Sequence, residues 1–336
     1  MARALAGRAL RVVGGGLTVA FALWGAAALW IDGPASRPLA ASLGAALLAA
    51  AAVLLARVRP FLRACLWALA PCAAAAAWWL AIPARNDRNW QPDVARTATA
   101  EQQGTVVTVR DVRDFDYRTE TDFTARWDTR RYDLERVAGL DLFVSYWGPT
   151  LYAHTILSWD FEGSPPLAVS IETRKEKGES YSAVRGFFRQ FELVYVLADE
   201  RDVVRLRTSY RGERVFLYRL ATPPEHARLL LEQYLSEANA LAAQPVWYNA
   251  FTENCTTAIW RNVRALAPDN PWDWRLLANG YVDRMLYERG TLDTSLPFDD
   301  LRARSDVTER AKACGDGADF SGCIREGLPT LAARRR

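Results

Sequence analysis

Cys255 stands in the run FTENCTTAIW, residues 251–260, between an asparagine and two threonines. A thiol there can be a buried structural group, half of a disulfide, a metal ligand or a nucleophile. Asn254 is a good N-cap, which predicts that Cys255 takes the first position of a helix. Ile259, Val263 and Leu266 follow at i, i+4, i+7, so one face of that helix packs. A helix N-terminus carries partial positive charge and free N–H groups, and both stabilise a thiolate. The bland reading is an inert core thiol, the commonest fate of cysteine; the helix-start position weighs against it. A nucleophilic cysteine needs a base, and the chain has 2 histidines. His226, in PPEHARLL, reads as a charged surface residue. His154, mid-strand in LYAHTILSW, remains as the partner. A third residue would orient the imidazole. The strand LAVSIETRK puts Ala168, Ser170, Glu172 and Arg174 on one face; Glu172 is the first candidate and Asp160 the second, each weighed against a plain surface charge.

The other cysteines narrow the choice. Cys65 and Cys72 lie seven apart in an apolar segment and share a helical face, which reads as packing. Cys314 and Cys323, in CGDGADFSGC, have no histidine or third cysteine nearby. A disulfide is expected there, worth ~2–3 kcal/mol by loop closure. Cys255 is then the odd thiol of an exported segment.

Export follows from the first 84 residues. Segments 9–31, 39–56 and 64–82 each reach or approach the ~20 apolar residues that cross a bilayer. The first is too long for a cleaved signal peptide and has no small-x-small site before a soluble start. Arg3, Arg8 and Arg11 precede the first span, and Arg57, Arg59 and Arg63 fill the second turn. The positive-inside rule keeps both in the cytoplasm, so three spans of the bacterial inner membrane carry the remainder into the periplasm of a Gram-negative cell or its equivalent. Trp30, Trp78, Trp79 and Trp90 fall near the predicted edges, where amphipathic rings belong. That compartment is oxidising. Net charge is +3, and no basic run interleaves with aromatics, which argues against nucleic acid.

Beyond residue 84 the pattern is first β, then α. Strands are expected at 105–112, 122–134, 151–161, 167–175, 191–198, 203–211 and 214–221, the last two as a hairpin about Gly212. Thr222–Glu225 reads as a capping box opening a helix to about 243. The helix of Cys255 follows, then another over 273–289, then a charged, loop-rich tail from about 300. The expected organisation is a membrane anchor (1–84), an α+β catalytic domain (85–300) and a tail (301–336).

The motifs NDRNWQPDVA, VRDFDY, YAHT, SIETRKEKGESYS and YNAFTENCTT occur together and in order. Residues 85–290 thereby resemble the bacterial family of the Lnb N-terminal periplasmic domain, named for a lipoprotein N-acyltransferase. The leading spans resemble a membrane anchor. The resemblance implies a papain-like fold of the permuted NlpC type, with histidine before cysteine, as in the similar lecithin:retinol acyltransferase. It implies Cys255 as nucleophile, His154 as base and Glu172 in the shared acidic motif. Asn254 and Asn249, with Tyr248 and Arg174, are the candidate oxyanion or substrate-positioning residues. The implied chemistry takes an acyl chain from phospholipid as a thioester and passes it to an amine, such as a lipoprotein N-terminus. A cysteine amidase or peptidase acting on cell-wall peptides would use the same triad. A membrane-anchored binding module would not need the thiol. No metal or other cofactor is called for.

Overall fold

A computed structural model describes residues 2–317 and 319–329; the side chains of residues 2–8 and 10 fall outside the description, those of Arg3 and Arg8 among them. The described chain forms two compact units. One holds the residues up to Ala84 together with Tyr181–Phe191, the other Arg85–Ser180 together with the residues from Glu192 on.

The first unit is α1 (Ala2–Ile31), α2 (Arg37–Arg57) and α3 (Phe61–Leu80). Each contains at least 20 residues apolar enough to span a membrane. Small side chains let the helices approach: Ala22, Ala51, Ala68, Cys72 and Ala75 pack together with Leu47. Cys65 and Cys72 are buried on one face of α3, as their spacing predicts. Leu17, Val53, Leu66 and Trp67 point outward, as lipid-facing side chains do.

The second unit is built on one sheet. Its strands are β1 (Thr99–Gln103), β2 (Val106–Arg113), β3 (Asp116–Tyr117), β4 (Phe123–Thr124), β5 (Trp127–Asp133), β6 (Val137–Tyr146), β7 (His154–Phe161), β8 (Ser164–Arg174), β9 (Glu192–Ala198) and, after α4 (Glu200–Arg205), β10 (Arg214–Arg219). The main order is β1-β2-β9-β8-β7-β6-β10; β5 pairs with β2, and β3 and β4 pair separately. Neighbours run antiparallel, except that β9 meets β2 in parallel. Helices cover both faces. On one, Phe143, Ile156, Val194, Val196 and Leu217 pack against α4 and the C-terminal helices. On the other lies α5 (Pro224–Ala243), held where Trp159 Nε1 donates to the Ala227 carbonyl at 2.7 Å and Tyr234 meets the Trp159 ring edge-on. Then come α6 (Cys255–Leu266), α7 (Val282–Glu288), α8 (Phe298–Ser305), α9 (Thr308–Cys314) and α10 (Phe320–Arg325).

Five expectations need correction. The stretch 203–211 is no strand: α4 runs on into a π-helical turn over Leu206–Tyr210. Asp199 starts the helix by accepting from the Arg201 N–H at 2.9 Å. Val203 and Val204 both enter the core, which a period of two forbids for neighbours. Strand β6, next to the edge strand β10, lies outside the expected strands, because Gly139 and Asp141 interrupt its apolar run. Asp141 is nonetheless buried, paired with Arg219 at 2.6 Å and Arg325 at 2.7 Å. Thr222 caps nothing: Pro224 forces Pro223 to stay extended, so α5 starts one residue later. The expected 273–289 helix breaks into two 3-10 turns, Trp274–Leu276 and Asn279–Tyr281, followed by α7.

The tail is helical rather than loop-rich. Val307, Ala311, Phe320 and Ile324 fill the core beside α4, and the expected disulfide, Cys314–Cys323, ties α9 to α10. Residues 330–336 of that tail lie outside the described chain. Arg325 donates to Glu200 at 2.6 Å as well as to Asp141, and both carboxylates are buried. Removing one partner of a buried ionic group strands the others. Arg325→Met is therefore expected to cost ~3–5 kcal/mol, read as a fall in unfolding free energy in denaturant titration of the detergent-solubilised protein.

Candidate active site

Cys255 owes its position to a local cap. The Asn254 side-chain oxygen accepts from the Thr256 and Thr257 N–H groups at 3.0 and 2.9 Å, and the Thr257 hydroxyl accepts from the Asn254 N–H at 3.0 Å. This reciprocal box fixes the first turn of α6. It holds Cys255 at its first position, as the sequence predicts. The same residues show why Asn254 itself is not turned to a substrate: its amide nitrogen donates to the Ala250 carbonyl at 3.0 Å.

His154 opens β7. Ile156 pairs with Ser170 across β7 and β8, so two further residues bring His154 opposite Glu172. His154 Nε2 lies 2.7 Å from the Ser170 hydroxyl and 3.3 Å from Glu172 Oε1. Ser170 in turn donates to Glu172 at 2.7 Å. Cys255 and His154 are close enough for each to shift the ionisation of the other. Cysteine and histidine are both about nine-tenths buried, so their charges act with little screening from water.

The proton distribution follows from these contacts. Burial and the Arg207 cation push the His154 pKa down, but Glu172 and Cys255 outweigh them and raise it to about 9. Burial pushes the Cys255 thiol up, while the His154 imidazole and the hydroxyl and amide of Thr155 bring it down to about 6. For Glu172, burial is overcome by His154, Arg207 and Ser170, and its carboxyl sits well below the usual range. Near neutral pH the pair is thiolate and imidazolium, a nucleophile already formed.

Two residues that the sequence did not single out complete the site. Arg207, in the π-helical turn, donates to Glu172 at 2.8 Å and contacts Glu213 at 3.3 Å. The expectation of a strand over 203–211 gives no reason to single it out. Asn279 directs its amide nitrogen at the Cys255 sulfur, 3.4 Å away, and at the Thr256 hydroxyl, 3.0 Å away. Its oxygen accepts from the Ala153 N–H at 2.9 Å. Gly280 makes this docking feasible: a Cβ there would sit 1.8 Å from the Thr150 carbonyl oxygen. The Asn-Gly pair was the available signal, hidden by reading 273–289 as one helix.

The remaining candidates lie elsewhere. Arg174 is a clasp, donating to the Val94 and Ala95 carbonyls and to Asn86 while stacking on Trp90. Asn249 closes a turn by accepting from the Phe251 and Thr252 N–H groups. Tyr248 is buried in the segment leading to α6. Asp160 pairs with Arg219 at 3.2 Å.

Thr256, whose hydroxyl lies 3.7 Å from the Cys255 sulfur, lines an apolar cavity of about 490 Å³, together with Leu140, Leu157, Ile259, Val263, Leu276 and Met285 among others. Thr155, next to His154 in sequence, lines the cavity too.

The stretch that carries this arrangement can be compared with known families. Residues 123–280 match the Lnb N-terminal periplasmic domain. The match is narrower than the 85–290 stretch bearing the motifs, yet it contains Cys255, His154, Ser170, Glu172, Arg207 and Asn279. No curated protein and no solved structure matches the chain significantly. This match and three helices apolar enough to cross a membrane are consistent with a membrane-anchored protein with a periplasmic domain.

Alkylation of Cys255 by iodoacetamide should rise with pH through about 6 and then level off. Glu172→Gln removes the anion that holds the imidazolium and should move that inflection up toward the ~8.5 of a free thiol. The ion pair stabilises the fold between the same limits. The thiol's share is lost as pH falls through about 6, and the imidazole's as pH rises through about 9.

Proposed function

We propose that the protein is a thiol acyltransferase of the bacterial inner membrane, which moves an acyl chain from phospholipid through a Cys255 thioester to an amine. The carrying observation is the apolar cavity that begins beside the nucleophile. Its volume falls within the ~300–1,000 Å³ of small-molecule pockets. Its lining follows α6 from Thr256 to Ala267, a helical rise of ~15–17 Å. That suits a long hydrocarbon tail, whereas a cell-wall peptide needs polar partners along its length.

The reaction follows from the site. The Cys255 thiolate attacks the ester carbonyl carbon. The oxyanion is met by the Cys255 N–H, since the Thr256 and Thr257 N–H groups serve the Asn254 cap, and by the Asn279 amide, already aimed at the sulfur. As the tetrahedral intermediate collapses, the ester C–O bond breaks. His154 gives its proton to the departing oxygen, and lysophospholipid leaves. A neutral amine then attacks the thioester and His154 takes its proton. The amide forms and thiolate is expelled, restoring the ion pair. Glu172, with Ser170, keeps the imidazole oriented and charged; it is a positioning residue. The histidine-before-cysteine order and these roles fit a permuted papain-like enzyme, with a lipoprotein N-terminus as the amine. Membrane anchoring would confine the enzyme near a donor that stays in the bilayer, a gain in effective concentration.

Incubating the protein with phospholipid and no amine should yield a hydroxylamine-labile acyl adduct by intact mass, absent from Cys255→Ser. Wild type that never acquires one would sink the transferase reading. Val263→Trp, which fills the cavity wall, should shift the adduct to shorter acyl chains when phospholipids of different chain length compete. An unchanged length profile would place the chain elsewhere.

A further inference from the structure

The segment 181–191, YSAVRGFFRQF, joins β8 to β9 yet packs as part of the unit of spanning helices. Its level there is fixed by the helix ends. Asp32, just after α1, accepts from Trp79 Nε1 at 2.6 Å, the Arg189 N–H at 3.1 Å and Gln190 Nε2 at 2.6 Å. Gln190 also donates to the Ile31 carbonyl at 3.2 Å. The Arg189 guanidinium donates to the Ile82 carbonyl, just past α3, at 2.8 Å and lies over the Trp79 ring. The segment is therefore level with the outer ends of α1 and α3, where hydrocarbon gives way to headgroups.

It is apolar on both sides. Phe188 and Phe191 turn inward and are buried. Arg185 stacks over Phe191 and donates to Gln190 at 2.9 Å, so the loop is internally braced. Outward point Tyr181, Val184 and Phe187, exposed by 49%, 63% and 41%. A loop in water would carry polar groups there. This one has two arginines and no acidic residue, the composition that suits a membrane interface.

We infer that residues 181–191 dip into the outer leaflet of the membrane that holds the spans, with Tyr181, Val184 and Phe187 at the boundary of headgroups and acyl chains. The occupant of this face is a lipid surface, continuous with the apolar belt of α1 and α3. The arginines then lie where lipid phosphates can be met.

The test uses the full chain in nanodiscs of phosphatidylethanolamine and phosphatidylglycerol. Ala183→Cys and Val184→Cys, both exposed positions, carry an environment-sensitive fluorophore, with wild type labelled in parallel as background. Val53→Cys, outward on α2, marks hydrocarbon, and Glu309→Cys marks water. The expected result is blue-shifted emission, quenched several-fold more by lipid bearing a headgroup-level nitroxide than by aqueous iodide. Iodide quenching equal to that of Glu309→Cys would overturn the inference. So would blue-shifted emission that lipid nitroxide leaves unquenched, since a protein surface would then be the cover. Failure of Val53→Cys to respond to lipid nitroxide would remove the spans and the inference together.

Discussion

One buried anion organises the site. Glu172 is held ionised by three donors, and its charge keeps His154 protonated inside the protein. The protonated imidazole in turn lowers the Cys255 thiol. Without Glu172, Cys255 alone would oppose burial and Arg207, and the imidazole's pKa would fall. The thiol would then keep its proton to higher pH, leaving more of the thiolate's stabilisation to the helix start.

Arg207 has a double part in that balance. It opposes the charge on His154, yet it also fixes Glu172 where that carboxylate serves His154 best. It reaches Glu172 from a π-helical turn, whose extra residue per turn re-aims the side chains that follow. The turn continues α4, and α4 is anchored by Glu200 to Arg325 and by Asp202 to Arg113. The orientation of Glu172 thus traces back to the ion pairs that anchor α4.

What the sequence disclosed depended on the range of the interaction. The cap of α6 lies within four residues, so Cys255 at the helix start was legible. Glu172 was found through the two-residue period of a strand. His154 was reached by elimination between two histidines, which needs no geometry. Arg207 and Asn279 were missed because each sits where long-range packing overrides local pattern. The alternation in VVRLRTSYR favours a strand until two adjacent valines must both enter the core. Asn279 belongs to a turn whose shape depends on Gly280 meeting a carbonyl about 130 residues upstream. Strand β6 was hidden for the same reason, since its buried Asp141 is neutralised by Arg325 from the opposite end of the domain.

The parts around the sulfur come from places far apart in the chain: His154 from β7, Glu172 from β8, Arg207 from the turn after α4, and Asn279 from beyond α6. No short piece of the chain contains the acid, the base and the thiol together. Until these segments meet, Cys255 is an ordinary, mostly protonated thiol. A chain still being synthesised or threaded across the membrane therefore carries no armed nucleophile. The thiolate–imidazolium pair thus exists only once the fold is complete, and on the proposed function that comes after delivery to the periplasm.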